Sequence, residues 1–353
     1  MGVLVFFFFF KQKTAYEIVD CDWEFRRVLF RSFRLEARDE ENSNSAFQYI
    51  QVSGFPRRKL SCVVACENQN GTTFYEDRND FVFQMRYGDN GKFLSSEINP
   101  YDQQLWFIPK DQKYILAQDL RENKNVFRQN FQSSMSSLFS STKMADRALY
   151  LSLKSGELQA YNHVFQDIYT YLSPEQKQLG AIAIGKRYIL QEGAFSSGSN
   201  REVKVLFRSN GNVRRSFPIQ NAIADMFFME DNKALLFQNN SQGGLIQELN
   251  VDAGGGVSRL LTYRDSIISV LPISVSEYLI STTKKVLVFN SKSGQLDDFL
   301  NRERTVLAFD SLNRQLYVAE KRKLYQYSYP SRALIRTATL PATVKAVHLR
   351  FNY

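Results

Sequence analysis

His163, in YNHVF, and His348, in VKAVHLRF, are the only imidazoles in the chain. Two histidines cannot build a three-histidine metal site, although carboxylates can take the missing places. In such apolar runs both read as packed or half-exposed side chains. Glycosidic hydrolysis asks for less, two acids facing one cavity, and Asp225, Glu230, Asp265 and Asp310 keep that chemistry open. Scattered acids in a chain of this size are mostly solvated loop residues. Neither a sialidase-type Asp box (S-x-D-x-G-x-T-W) nor a calcium loop of the D-x-[DN]-x-[DN]-G kind occurs. No catalytic set, metal site or cofactor is expected.

Cys62 and Cys66 lie four apart in the strand-like run SCVVAC. At about 3.3 Å per residue their Cα atoms are about 13 Å apart, beyond bridging range. Trp106 in QQLWFIP is a candidate sugar-stacking platform, but a tryptophan in an apolar strand more often packs inside. Core is the expectation. The glycine cluster DAGGGVS at 252–258 lies between two strands, so no helix N-terminus is there to hold phosphate. It reads as a turn, and GAFSSGSN at 193–200 as a longer loop.

Cations gather late in the chain: Arg264, Lys284, Lys285, Arg302, Arg304, Lys321, Arg322 and Lys323. If the fold brings them together, the arc would attract an acidic glycan, phosphate or an acidic protein partner. The plainer reading is a solvated rim with Glu303 and Glu320 interspersed. Nucleic acid is not expected, because no run pairs these bases with regularly exposed aromatics.

What would position these groups is a repeat. Apolar strand starts recur at Leu179 (LGAIAI), Ile223 (IADMFF), Ile267 (IISVLP), Val306 (VLAFDS) and Val344 (VKAVHL). Each of the first four is followed by a turn and a second apolar strand (KRYILQEG, NKALLFQN, SEYLISTT, NRQLYVAE), then a more alternating third and a polar fourth. Four strands in about 40 residues is the period of a propeller blade. Residue sizes agree: first strands carry Gly180, Ala181, Ala183, Ala224, Ser269, Ala308 and Ala346, small enough to converge on an axis. Second strands are apolar on both faces, as strands sandwiched between neighbours must be.

Upstream, RALYLSLKSGELQAYNHVF reads as the second and third strands of a blade that begins near SMSSLFSS, and LWFIPKDQKYILAQDLRENKNVFRQNF as another blade. LSCVVACE, FVFQMRYG and KFLSSE read as three strands of an early blade. VKAVHLRFN is then a first strand with no blade after it, which completes the sheet begun near Leu60 and leaves no free edge. The expected fold is all-β: a seven-bladed β-propeller over 56–353, with six or eight blades also open. In that geometry the second-to-third-strand turns share a face with the blade-to-blade connections, so the cations gather on one rim.

The opening residues need a separate account. The apolar run Val3 to Phe10 meets Lys11, Lys13, Glu17 and Asp20 before reaching the roughly 20 residues of a membrane span, and it precedes the first charge, the wrong order for a secretory signal. KQKTAYE and EFRRVLFRS back-translate to strings that resemble the two ends of a sequencing-library adapter, with VDCDW across the index between them. Residues 1–32 are therefore expected to be non-native. With five cations against four anions they carry +1, which leaves +8 of the chain's +9.

FRLEARDEENSNSAFQYIQVSG, within 33–55, resembles the last two strands of an immunoglobulin-like domain of the PKD type, with FPRRK as linker. A PKD-like end, a short linker and an irregular seven-bladed ring together resemble the PKD-like-family surface lipoproteins of Bacteroidota-type bacteria. That resemblance implies a setting at the cell surface or periplasm, anchored to the outer membrane, and non-catalytic binding or assembly with a glycan or envelope protein. A membrane link is expected only through a lipid anchor on the replaced segment. The alternative is a propeller-fold glycan hydrolase or lyase, which convergent carboxylates in the central mouth, or a carboxylate with His348, would favour. A purely structural spacer is the third possibility, favoured by a rim with neither cavity nor charged patch.

Overall fold

The computed structural model describes residues 32–38, 45–51 and 58–352, apart from 79, 100–102, 132–138, 146–147, 163–166, 173–176, 196–200 and 253–254. The chain divides into two units, Met1–Arg57 and Arg58–Tyr353. In the first, Ser32–Arg38 pairs antiparallel with Ser45–Gln51, Phe33 opposite Ile50. The side chains of this pair and residues 39–44 lie outside the described residues, as do residues 1–31 of the adapter-like segment.

The second unit is a seven-bladed β-propeller of four-stranded antiparallel sheets, with no helix among the described residues. Blades 2 to 7 occupy 93–130, 139–172, 177–219, 223–263, 267–300 and 306–339. Blade 1 is composite: Thr343–Phe351 is its first strand, and Lys59–Asn68, Gly71–Asp77 and Gln84–Asp89 are the rest. The repeat from Leu179 onward is reproduced strand for strand.

The early part differs from expectation. KFLSSE is not a late strand of blade 1; it belongs to Phe93–Asn99, the first strand of blade 2, with Ser96 opposite Phe107. The strand missing from the sequence reading is Gly71–Asp77, GTTFYED. It follows a tight turn in which the Asn70 N–H donates to Asn68 Oδ1 (2.8 Å) and Gly71 has φ of 135°. Asn and Gly are the residues that make such a reversal cheap, so NQNG marks a hairpin between two strands. With it counted, Gln84–Asp89 is the fourth strand of blade 1 and Phe93–Asn99 opens blade 2.

Among the described residues, seven apolar clusters hold the ring, one at each junction between blades. Trp106 lies in the cluster between blades 2 and 3, 1% exposed, its ring centroid 5.6 Å from Phe127 and 5.7 Å from Tyr161. It is core, as expected. Cys62 and Cys66 are unbridged and fully buried between blades 7 and 1, and burial pushes both thiols up, that of Cys66 to about 12.

The smallness of the first strands has a local cause at Gly180, where a Cβ would stand 2.2 Å from Glu192 Oε2. That buried carboxylate accepts from the Ala181 N–H (3.1 Å), from Arg201 Nη1 (2.8 Å) and, across the blade boundary, from the Ile223 N–H (3.1 Å). Gly180→Ala must displace it, and a variant destabilised by about 1–3 kcal/mol is expected from denaturant unfolding. A wild-type midpoint would mean that the strand yields without cost.

Closure occurs as expected. Thr343–Phe351 pairs antiparallel with Lys59–Asn68, from Glu67 opposite Thr343 to Lys59 opposite Phe351. At one end Arg350 forms a buried ion pair with Glu76, which also accepts from Ser61 Oγ (2.6 Å) and lies 2.8 Å from Arg86 Nε. Arg350 Nε donates to Gln103 Oε1 (3.1 Å), and Gln103 Nε2 to the Phe351 carbonyl (2.8 Å), so the clasp reaches blade 2.

Candidate functional site

The topology places the late cations on one face, as the strand order requires. Lys284 and Lys285 lie in the second-to-third-strand turn of blade 6; Lys321 and Arg322 occupy the same turn of blade 7, and Lys323 opens the strand that follows. Arg264, Arg302 and Arg304 lie in connections between blades. Backbone bonds tie turn to connection: Arg304 N–H to Thr282 O (2.9 Å) and Val344 N–H to Lys321 O (2.7 Å). Much of the charge is matched locally. Lys284 is 3.2 Å from Asp265, Lys285 2.7 Å from Asp298, Arg302 3.0 Å from Glu320 and Lys321 3.7 Å from Glu303. Arg302 also stacks on Tyr325, 3.5 Å from the ring centroid, and donates to Tyr327 Oη (2.7 Å). Arg322 donates to the Leu340 carbonyl (3.0 Å). Arg264, Arg304 and Lys323 form no ion pair with a described acid.

A second cluster lies in the central channel, which the first strands line. Lys143, on Phe139–Ala145 of blade 3, extends to Asp225, on Ile223–Glu230 of blade 5, with Nζ 3.7 Å from Oδ1. Blade 4, whose first strand Lys177–Ile184 carries the small residues Gly180, Ala181 and Ala183, stands between the two in the ring. The same Nζ lies 4.3 Å from the centroid of the Phe227 ring. Lys143 and Asp225 are 31% and 26% exposed, so water reaches both from the channel.

Glu97, from the first strand of blade 2, completes the cluster. Burial pushes its carboxyl up to about 7, against the pull of Lys143 and with the support of Asp225. Asp225 is raised for the same first reason, with Lys143 and the Met226 N–H opposing. Neighbouring His348 is held neutral, its pKa lowered to about 4 by burial, and Nε2 lies 2.6 Å from Ser96 Oγ. This ties the first strands of blades 1 and 2 together. His163 lies outside the described residues.

Of the four acids singled out from sequence, Asp225 lies in the channel and Glu230 at its exposed end. The others serve turns. Asp310 is fully buried and accepts from the Leu312 and Asn313 N–H groups (3.0 and 3.1 Å); Asp265 holds Lys284. Lys143 and Glu97 were not among the sequence candidates. The signal was a lone charge inside an otherwise small or apolar first strand, and for Glu97 it was hidden by the strand misassigned above.

At the channel end opposite the basic face, two open cavities adjoin. One, of about 270 Å³, is lined by Lys143, Met226, Phe227, Phe228, Pro272 and Tyr278 among others. The other, of about 290 Å³, includes Lys186, Arg208, Glu230 and Asp231. Ile184 and Phe228 form walls of both. A Cβ on Gly185 would come within 2.9 Å of the Phe228 ring, so a glycine there leaves the ring its place.

No family model matches the chain, and no curated protein does. Solved structures do. A protein of unknown function from Desulfotomaculum acetoxidans aligns with TM-score 0.59 and 15% identity over 82% of this chain and 98% of its own. One from Bacteroides fragilis, given a provisional 6-phosphogluconolactonase assignment, aligns with TM-score 0.60 and 11% identity over 82% and 98%. A computationally designed protein, Ika8, gives 0.56 and 12% over 81% and 90%. At such identities the likeness establishes the propeller fold alone.

Proposed function

We propose that the protein is a non-catalytic binding module whose ligand is a glycan held at the mouth of the central channel. One observation carries this reading: Lys143, ion-paired to Asp225 of the channel, lines one open cavity together with the half-buried rings of Phe227 and Phe228. A sugar has an apolar face and a polar edge, and it needs an aromatic surface next to groups that both donate and accept. The setting proposed is the cell envelope, which rests on the resemblance to PKD-like surface lipoproteins. The rim residues Arg264, Arg304 and Lys323 are the ones left to meet an acidic glycan or envelope protein.

The test is calorimetric titration against a panel of hexoses, N-acetylhexosamines, pentoses and their short oligomers. Binding by one class is expected, and Phe228→Ala should weaken it about tenfold by removing the stacking face. Silence across the panel would end the reading. A second reading, hydrolysis, is favoured by the Glu97 carboxyl at about 7 in the same channel as Asp225, the pairing of a proton donor with a second acid that glycosidases use. Release of reducing ends by the wild type, lost in Glu97→Gln, would establish it.

A further inference from the structure

We infer, resting on the glycan reading, that the ligand is a neutral chain of at least two sugar units, laid from the channel mouth across Phe228 into the second cavity. Ligand pockets commonly measure about 300–1,000 Å³. Neither cavity reaches that range alone, at about 270 and 290 Å³, while both together fall within it. They adjoin through shared walls, Ile184 and Phe228, so a single elongated ligand occupies both more readily than two separate small ones. Phe228 is the ridge between them. A sugar chain crosses such a ridge with one ring face against the aromatic and its hydroxyls directed into the hollows on either side.

Charge selects among chains. The second cavity sets Lys186 and Arg208 against Glu230 and Asp231, and Arg208 is already committed to the Gly185 carbonyl (3.1 Å) and to Tyr150 Oη (3.1 Å). In the first, Lys143 is the one charged lining residue, and Asp225, outside the lining, offsets it from 3.7 Å. Both are balanced, so a polyanionic glycan gains no net attraction there and a neutral one loses none. Balanced pairs still offer acceptors and donors to hydroxyl groups.

Titrating monomer, dimer and trimer of each sugar into the full chain tests this. Affinity should rise at least tenfold from monomer to dimer or trimer, and uronic-acid oligomers should bind no better than neutral ones. Glu230→Ala and Glu230→Arg, which change the wall of the second cavity, should each remove the gain from chain length, read as the ratio of oligomer to monomer affinity. Equal affinity for all lengths, or a gain that survives both variants, overturns the inference and leaves the glycan reading standing. No binding by monomer or oligomer defeats both.

Discussion

Replacing Arg350 with alanine should lower the unfolding free energy by about 1.5–3 kcal/mol, the worth of a buried hydrogen bond between charged partners, since Arg86 and Arg78 still face Glu76. Arg350 is 6% exposed, and its partner Glu76 is 3% exposed. Removal of the guanidinium strands that carboxylate between Ser61 Oγ and Arg86 and frees Gln103 Oε1. Arg86 does not compensate fully. Its Nε stands 2.8 Å from Glu76 Oε2, but without the alignment of a hydrogen bond. Denaturant unfolding checks the figure. Arg350→Met with Glu76→Leu should recover part of the loss, because apolar replacement of both partners avoids the uncompensated charge. A single alanine variant within 1 kcal/mol of wild type would show that water enters and solvates the clasp.

Lys143→Met should weaken glycan binding by about 10- to 100-fold, the worth of a charge-assisted hydrogen bond of about 1.5–3 kcal/mol. The fold should survive, since the ion pair is open to the channel and such pairs contribute modestly. The variant should also change the pH dependence of stability. Glu97 is raised from 4.5 to about 7 in the folded protein. The folded state thus holds that proton more tightly: the stability it contributes is complete below about 4.5 and is lost as pH rises through about 7. With Lys143 gone, the attraction that opposes the rise disappears, and the loss should extend to higher pH. Asp225, also raised and facing the same lysine, should move in the same direction. His348 works oppositely, its contribution present above 6.5 and lost as pH falls through about 4, and it is common to both proteins. Melting temperatures across pH 4 to 9 would reveal the shift; superimposable profiles would deny any coupling between Lys143 and Glu97.

The late blades were legible because their first strands repeat in size and hydropathy, and a period of about 40 residues survives divergence in loops. Ring closure was legible for the same reason: VKAVHLRFN has the character of a first strand, and the strands beginning near Leu60 need one. The site was less so. Asp225 could be noticed as an acid in a first strand, but its partner Lys143 lies 82 positions earlier, and only the ring brings the two within an ion-pair distance. Spacing along the chain carries no trace of a contact across a channel. The rim cations illustrate the converse: their placement followed from strand order, whereas their neutralisation by Asp265, Asp298, Glu303 and Glu320 depends on side-chain reach that strand order does not encode.

Blade 1 joins segments separated by more than 270 residues, with Lys59 opposite Phe351. On the ribosome, Lys59–Asn68 emerges early, lacks its inner neighbour until synthesis reaches 343–351, and carries the fully buried run Cys62–Cys66. Such a segment is adhesive while it waits. The nascent chain therefore cannot lock its blades one after another into a finished ring. Burden on chaperones should concentrate on that one strand, and the final commitment should come only once Thr343–Phe351 has emerged to pair with it.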